Sequence, residues 1–406
     1  MTAADAAPRL GRVSPLPFAR PTIGEDEIAE VVSALRSGWI TTGPKTKLFE
    51  ERFGAEVDAD ATLALSSGTA AMHLALVAMA IGPGHRVFTS PMTFCSTVHV
   101  IEHVGALPVL VDIDPTTLNL DPVALSAAVG EAAPELAAAV MPVHYAGQPC
   151  DMAAIVDVAR KANLCVIEDA AHAFGARYHS RPIGHTIAGL RGHAVCFSLY
   201  ATKNITTGEG GVLASSPEII NAAREWSLHG MSRDAWRRYA HGGSWQYDVL
   251  HAGFKYNLTD LQAALGIAQL RRHEELLERR TAIAGMYTNE FQEMEELDAP
   301  IALPGVEHAW HLYPLRLNLD RLTISRAHFI EELQARNIGA SVHFIPVHEH
   351  TYYREKYGWR PNDFPVAHKE FSRMLSLPIY PLMTDEDVDD VVAAVRAIVT
   401  KNRRRT

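Results

Sequence analysis

Cysteine is scarce in this chain: four in 406 residues, at Cys95, Cys150, Cys165 and Cys196, with no C-x-x-C pair. That excludes a disulfide-stapled scaffold and points to thiols kept in a reducing compartment. An excess of positive charge is missing as well. The 37 Lys+Arg against 47 Asp+Glu give a net charge of −10, which argues against general nucleic-acid binding, since that takes a basic face. Long hydrophobic runs are absent too. The most apolar stretch, Ala70 to Ile81, contains His73 and is too short to span a bilayer. Met1 to Pro8 has neither the basic start nor the apolar block of a secretory leader. The expectation is a cytoplasmic protein with no membrane contact. Twenty histidines, His343, His348 and His350 among them, invite a metal reading. No carboxylate or cysteine framework with ligand spacing accompanies them, so no metal is expected.

What is present is ordinary globular material, 48% hydrophobic and 21% charged. A chain of this length exceeds the roughly 250–300 residues at which single cores stop growing, so two domains are expected. The Pro-rich start to Pro21 reads as an extended arm. Thr22 stands three residues before Glu25, a capping-box spacing, and Ile28, Val31, Val32 and Leu35 share one helical face. Gly38 ends that helix. Short apolar runs then alternate with helical stretches. The strands are expected at Thr62–Leu65, Arg86–Thr89, Pro108–Val111, Ala138–Val143, Leu164–Ile167, Ala194–Leu199 and Gly211–Ala214. Helices are expected near Thr69–Ala80, Thr93–His103, Pro122–Val129, Asp151–Ala162 and Pro217–Ser227. This alternation predicts an α/β fold with a mostly parallel central sheet and helices on both faces. One long amphipathic helix, Leu261 to Met286, leads into a smaller C-terminal α+β domain that closes with a helix near Asp385–Val399. The division is placed at residues 1–265 and 266–406. Lys401 to Arg405 reads as a solvated tail.

Three segments carry chemistry. Phe197-Ser-Leu-Tyr-Ala-Thr-Lys-Asn-Ile-Thr-Thr-Gly-Glu-Gly-Gly211 ends an apolar strand and sets Lys203 among hydroxylated residues before a glycine-rich turn. Lysine amines form Schiff bases where the site lowers their pKa, and Ser198 and Thr202 are placed to bond a phosphate. Read alone, Lys203 is equally an exposed loop lysine. Leu164-Cys-Val-Ile-Glu-Asp-Ala-Ala-His172 delivers Asp169 at a strand's carboxyl end, where ligands of such sheets bind. An acid there could hold a protonated heterocycle or merely cap a helix. Ala64-Leu-Ser-Ser-Gly-Thr-Ala-Ala-Met-His73 leads from a strand into a helix, and Gly68 and Thr69 stand at a helix start that attracts phosphate. Elsewhere, Arg233, Trp236, Arg237 and Arg238 read as surface charge or as contacts for a diphosphate. Tyr352, Tyr353 and Tyr357 read as helix packing. His144 and Tyr145 read equally as cleft or packing residues.

The three segments, in this order, resemble the DegT-type sugar aminotransferases. The resemblance runs nearly the whole chain, through Pro17-Phe-Ala-Arg-Pro21, Ser37-Gly-Trp-Ile-Thr-Thr-Gly-Pro-Lys45, Pro91-Met-Thr-Phe94, Pro142-Val-His-Tyr-Ala-Gly-Gln-Pro149, Lys255-Tyr-Asn-Leu-Thr-Asp260, His308-Ala-Trp-His-Leu-Tyr313, Val342-His-Phe344 and Ser376-Leu-Pro378.

The resemblance implies a fold-type I aminotransferase that uses pyridoxal 5'-phosphate and works as a homodimer with shared active sites. It implies that Lys203 holds the cofactor covalently and shuttles the proton. Asp169 pairs with the pyridine nitrogen, Phe94 stacks on the ring, and His172 lies beside it. Gly68, Thr69 and Ser198 hold the phosphate, and Asn257 reaches that phosphate from the neighbouring subunit. His343 contacts the donor carboxylate or the sugar nucleotide. The implied partners are L-glutamate, leaving as 2-oxoglutarate, and a nucleotide-linked keto-sugar. Within the family the chain is most similar to members that aminate the 4-position of a UDP-linked 4-keto-pentose. It differs from them at Phe94, Tyr200, Gly68 and Ile345-Pro346. A UDP-4-keto-6-deoxy-N-acetylhexosamine is the second candidate, through Ala146-Gly-Gln-Pro-Cys-Asp151. A dehydratase on the same fold would carry histidine in place of Lys203. A cofactor-binding regulator without turnover is the non-enzyme alternative.

Overall fold

The computed structural model describes residues 12–231 and 247–404. The strands are β1 (Ala61–Leu65), β2 (Arg86–Thr89), β3 (Leu107–Leu110), β4 (Ala137–Met141), β5 (Cys165–Asp169), β6 (Arg177–Tyr178), β7 (Arg181–Pro182), β8 (His193–Ser198), β9 (Gly211–Ser215), β10 (Leu297–Asp298), β11 (Val306–Glu307), β12 (Tyr313–Leu317) and β13 (Met374–Leu377). The helices are α1 (Glu25–Ser37), α2 (Pro44–Glu56), α3 (Gly68–Ala78), α4 (Ser96–His103), α5 (Pro122–Glu131), α6 (Met152–Lys161), α7 (Pro217–Ser227), α8 (Asp260–Arg271), α9 (His273–Phe291), α10 (Arg326–Gln334), α11 (Thr351–Tyr357), α12 (Pro365–Arg373) and α13 (Asp385–Asn402).

The central sheet has seven strands in the order β1-β9-β8-β5-β4-β2-β3. Strands β3, β2, β4, β5 and β8 pair in parallel, and β9 runs against both β8 and β1. Side chains alternate between its faces, as the strand's period of two requires. Leu63, Val87, Met141, Cys165, Ile167 and Cys196 pack with α3, α4 and α7 on one face. On the other, Ala64, Val195, Phe197 and Val212 meet α2 and α8, while Phe88, Val140 and Val166 meet α5 and α6. Because buried strands carry apolar residues on both faces, their sequences read as the continuous runs seen above. A smaller antiparallel sheet, β10-β12-β13, packs with α9, α10 and α13 around Tyr287, Phe291, Tyr313, Leu333 and Val395.

Three expectations are corrected. Thr22 does not cap α1: Gly24 is the N-cap residue, its N–H donating to Glu27 Oε2 at 2.7 Å, and Thr22 Oγ1 is buried without a partner. The face that α1 buries is not the apolar one either. Ile28 and Leu35 are 49% and 54% exposed, while Glu27 and Ala34 are buried. The cause is polar: Glu27 accepts from Gln269 at 2.8 Å and sits 3.5 Å from Arg272, which turns that side of α1 inward. The long helix expected over Leu261–Met286 is two helices, broken at Arg272. The α8 cap is a capping box, Thr259 with Gln262, inside the motif that contains Asn257.

Candidate active site

Four strand ends converge at the carboxyl edge of the sheet. Strand β1 ends at Leu65, and Ser67 caps α3 by accepting from the Ala70 N–H at 3.0 Å. The free N–H groups of that helix start face an open cavity. The backbones here pack too tightly for side chains. A Cβ on Gly68 would stand 3.0 Å from Ser198 Cβ, and one on Gly211 would stand 2.3 Å from the Ser67 carbonyl carbon. Strand β2 feeds Thr93 and Phe94, β5 delivers Asp169, and β8 delivers Ser198 and then Lys203.

The cavity holds about 430 Å³. Gly68, Thr69, Phe94, Asp169, His172, Ser198, Lys203 and His343 all line it. Asp169 is buried; its Oδ2 accepts from the Thr97 hydroxyl at 2.7 Å and its Oδ1 from the Ala171 N–H at 3.1 Å. Burial pushes its pKa up, and Thr97, Ala171, Lys203 and His144 act against that rise. The Lys203 amine faces the open cavity, so the residue keeps some exposed area, yet the walls desolvate it and lower its pKa to about 8 against the pull of Asp169. An amine so shifted is about one-tenth neutral at pH 7, far more than an ordinary lysine, and to that extent nucleophilic.

One wall is histidine. The Ala146 N–H donates to His172 Nδ1 at 3.2 Å, which leaves the ring proton on Nε2. His172 lies against His311 at 4.3 Å between centroids and stacks on Phe344 at 5.7 Å. His311 Nδ1 meets Asn204 Oδ1 at 3.2 Å, so the residue after Lys203 orients this ring. His343 Nδ1 meets Ser376 Oγ at 3.0 Å. Burial depresses the pKa of all three, of His343 to about 4, and the nearby Lys203 charge adds to it. Phe94 is 57% exposed and tilts against Phe344 at 5.8 Å.

Asn257 alone of the expected residues lies away from this cavity. Its Nδ2 donates to Thr42 Oγ1 at 2.7 Å, and its Oδ1 accepts from Lys255. His144 and Tyr145 take packing positions. His144 is buried on Glu168, and the Tyr145 hydroxyl donates to the His343 carbonyl. Arg233, Trp236, Arg237, Arg238 and Arg405 lie outside the described residues. Among the described residues, no group of three His, Cys, Asp or Glu is placed to hold a metal ion, and no helix is long and apolar enough to cross a membrane. Sequence reasoning missed His311, Phe344 and Thr97. The first two sat inside motifs with no distinct role, and Thr97 had only its spacing from Phe94 to mark it.

The donor set fits pyridoxal phosphate. A helix start with serine and threonine hydroxyls suits the phosphate, a buried carboxylate suits the pyridine nitrogen, and a depressed lysine suits the aldehyde. Gly68 provides backbone access that a side chain would fill.

Comparison with known proteins gives the same answer. The profile of the DegT/DnrJ/EryC1/StrS aminotransferase family matches residues 21–396. Protein MJ1066 of Methanocaldococcus jannaschii is 50% identical over 393 residues, covering 97% of this chain and 100% of its own. The spore coat polysaccharide biosynthesis protein SpsC of Bacillus subtilis is 50% identical over 386 residues, covering 95% of this chain and 97% of its own. Among solved structures, the protein Spr1654 of Streptococcus pneumoniae, named as a sugar aminotransferase and solved in PMP, PLP and apo forms, is similar. Its PMP form superposes with a TM-score of 0.87 at 34% identity, covering 95% of this chain and 99% of that one. The mostly parallel sheet is thus the aminotransferase fold expected from the motifs, and the chain belongs to the DegT/DnrJ/EryC1/StrS aminotransferase family.

Proposed function

We propose that this chain is a pyridoxal-phosphate-dependent sugar aminotransferase that moves an amino group from L-glutamate to the 4-keto position of a nucleotide-linked keto-sugar of the UDP-4-keto-pentose type. The single observation that carries it is one cavity lined by both Lys203 and Asp169. The relatives named for sugar amination and polysaccharide biosynthesis support the sugar. When bound, the cofactor supplies an aldehyde carbon for amines and a ring that accepts an electron pair from the adjacent carbon. Lys203 Nζ would hold the cofactor and, once freed by the donor, would take the proton from the donor's amino carbon and deliver it two atoms along, at the former aldehyde carbon. Asp169 keeps the ring-nitrogen proton in place. Gly68, Thr69 and Ser198 hold the phosphate, Phe94 covers one ring face, and His172 flanks it. His343 meets the carboxylate of the donor or the sugar nucleotide. The two substrates use the site in turn, a ping-pong order.

Asn257 serves the site of a second copy in this reading, which makes the enzyme a homodimer. The apolar side chains exposed on and after α1, Ile28, Leu35, Trp39 and Ile40, support such an interface. Residues 1–265 would bind the cofactor and residues 266–406 would close the site, in a cytoplasmic enzyme.

Adding glutamate to the purified holoenzyme should abolish the visible band of the lysine-bound cofactor and release 2-oxoglutarate. A panel of nucleotide-linked keto-sugars should then restore the band, the UDP-4-keto-pentose fastest. Faster restoration by a UDP-4-keto-6-deoxy-N-acetylhexosamine would reassign the sugar. A Lys203→Ala protein that still turned over would remove the mechanism.

A further inference from the structure

The hydroxyls behind Asp169 have no part in the scheme above. Thr97 carries one hydroxyl proton and has three acceptors in reach, the Phe94 carbonyl at 3.2 Å, the Thr93 oxygen at 2.7 Å and Asp169 Oδ2 at 2.7 Å. The charge-assisted bond to the carboxylate takes it. The Thr97 oxygen is then free to accept, and the Thr93 hydroxyl lies 2.7 Å away. The order of donation is Thr93 to Thr97 to Asp169. Both threonines are buried, and Thr93 also lines the cavity. Local structure builds the chain: Thr93 ends the turn after β2, and Thr97, four residues on, lies in the first turn of α4 against the end of β5.

We propose that Thr97, backed by Thr93, is a positioning residue that holds the Asp169 carboxylate in its charged form and aims it into the cavity. The inference rests on the reading of Asp169 as the partner of a protonated ring nitrogen. Such a device is needed because burial at the end of β5 favours the neutral acid. The groups that oppose burial are Thr97 from α4, the Ala171 N–H, Lys203 from the turn after β8, and His144 from the turn after β4. Cys150 and Cys196 also stand near enough to sense the charge of Asp169. The Lys203 charge is lost as pH passes about 8 and whenever that amine is engaged covalently. A hydroxyl donates at every working pH. Among the described residues, Thr97 is the side chain that hydrogen-bonds this carboxylate.

The test reads Asp169 itself in the apo-protein, from the pH titration of its carboxyl carbon-13 signal, identified by its loss in Asp169→Asn. Thr97→Val keeps the shape and removes the donor, and the midpoint is expected to rise by about one to two units. Thr97→Ser should restore it. In the holoenzyme the same change should lower kcat with the amino donor by about tenfold to a hundredfold while KM stays put. A folded Thr97→Val protein with the parental midpoint overturns the proposal, as does a serine variant as impaired as the valine one. If Thr97→Val does not fold, Thr93→Val replaces it, with a smaller rise expected and no rise counting against the proposal. A parent enzyme whose spectrum ignores the donor would instead defeat the assigned reaction, and the apo titration would still decide the role of Thr97.

Discussion

His144 Nε2 lies 2.7 Å from Glu168 Oε2, and both side chains are buried beneath the candidate active site. His193 Nε2 closes the other side at 2.6 Å from Oε1. The backbone N–H groups of Cys150 and Ile187 donate to Nδ1 of His144 and His193, so each ring presents an Nε2 proton to the carboxylate. Glu168 precedes Asp169 on β5, and strand alternation sends the two acids to opposite faces.

This clasp makes Glu168→Gln costly. An amide offers one acceptor oxygen, so one imidazole N–H would face an amide N–H. Neither ring can move its proton without giving up a backbone bond. The unfolding free energy should fall by about 1–3 kcal/mol, read from urea denaturation at neutral pH. Burial alone would raise the Glu168 pKa, but the bonds from His144 and His193 bring it down to about 2 from 4.5. The stability it contributes is therefore complete above about pH 4.5 and is lost as pH falls towards 2. The parent should lose stability across that window, and the Gln variant should lose less.

Lys203 should react as an amine of pKa about 8, lowered by burial, rather than 10.5. In the apo-protein, the rate of reconstitution with pyridoxal phosphate should climb through a midpoint near that pH. Asp169→Asn removes the charge that opposes the shift, so its midpoint should move lower still. For stability the pH dependence runs the same way as for Glu168, since both pKa values are lowered, but Lys203 contributes a cost where Glu168 contributes a gain. The folded state resists protonation of Lys203 below about pH 8, and this cost fades as pH rises towards 10.5. A reconstitution midpoint near 10 would contradict the burial argument.

Gly211→Ala should disable cofactor binding. The new Cβ would lie 2.3, 2.4 and 2.5 Å from the Ser67 carbonyl carbon, its oxygen and the Gly68 nitrogen. These are backbone atoms and have no rotamer to yield, so β9 must part from the start of α3. The expected cost is about 1–3 kcal/mol of stability, with weakened affinity for pyridoxal phosphate in equilibrium dialysis. Undiminished affinity would mean that Ser67 and Gly68 do not shape the phosphate site.

Phe18→Ala should act on the cavity from outside it. Leu16 is bonded to Asn337 and Gly339 at 2.8 and 2.9 Å, and Arg12 pairs with Asp387 at 2.6 Å. The arm so held stacks Phe18 on the His343 ring at 5.0 Å. Losing an aromatic contact worth about 0.5–1.5 kcal/mol should raise KM about two- to tenfold for whichever substrate His343 meets, with kcat little changed. Steady-state kinetics with each substrate varied in turn would identify it.

The sequence by itself determined the seven strands of the central sheet and the edge on which chemistry sits. Arg86–Thr89 and Pro217–Ser227 were legible to the residue, because apolar runs and a Pro-led helix are local signals. Gly68, Asp169, Ser198 and Lys203 were legible because each lies at or shortly after a strand end, inside motifs that resemble those of the family. Only the tertiary structure decided which strand ends are neighbours. It set β5 between β4 and β8, which brings Thr97 and His144 to Asp169, and it carried His311 and His343 across from the far end of the chain. It also turned Glu27 inward and left Ile28 and Leu35 outside, since the bond from the Gln269 amide on α8 to the Glu27 carboxylate outweighed the apolar pattern of α1. Local periodicity fixes an element's type, whereas its buried face and its partners depend on contacts between residues distant in sequence, which no local pattern encodes.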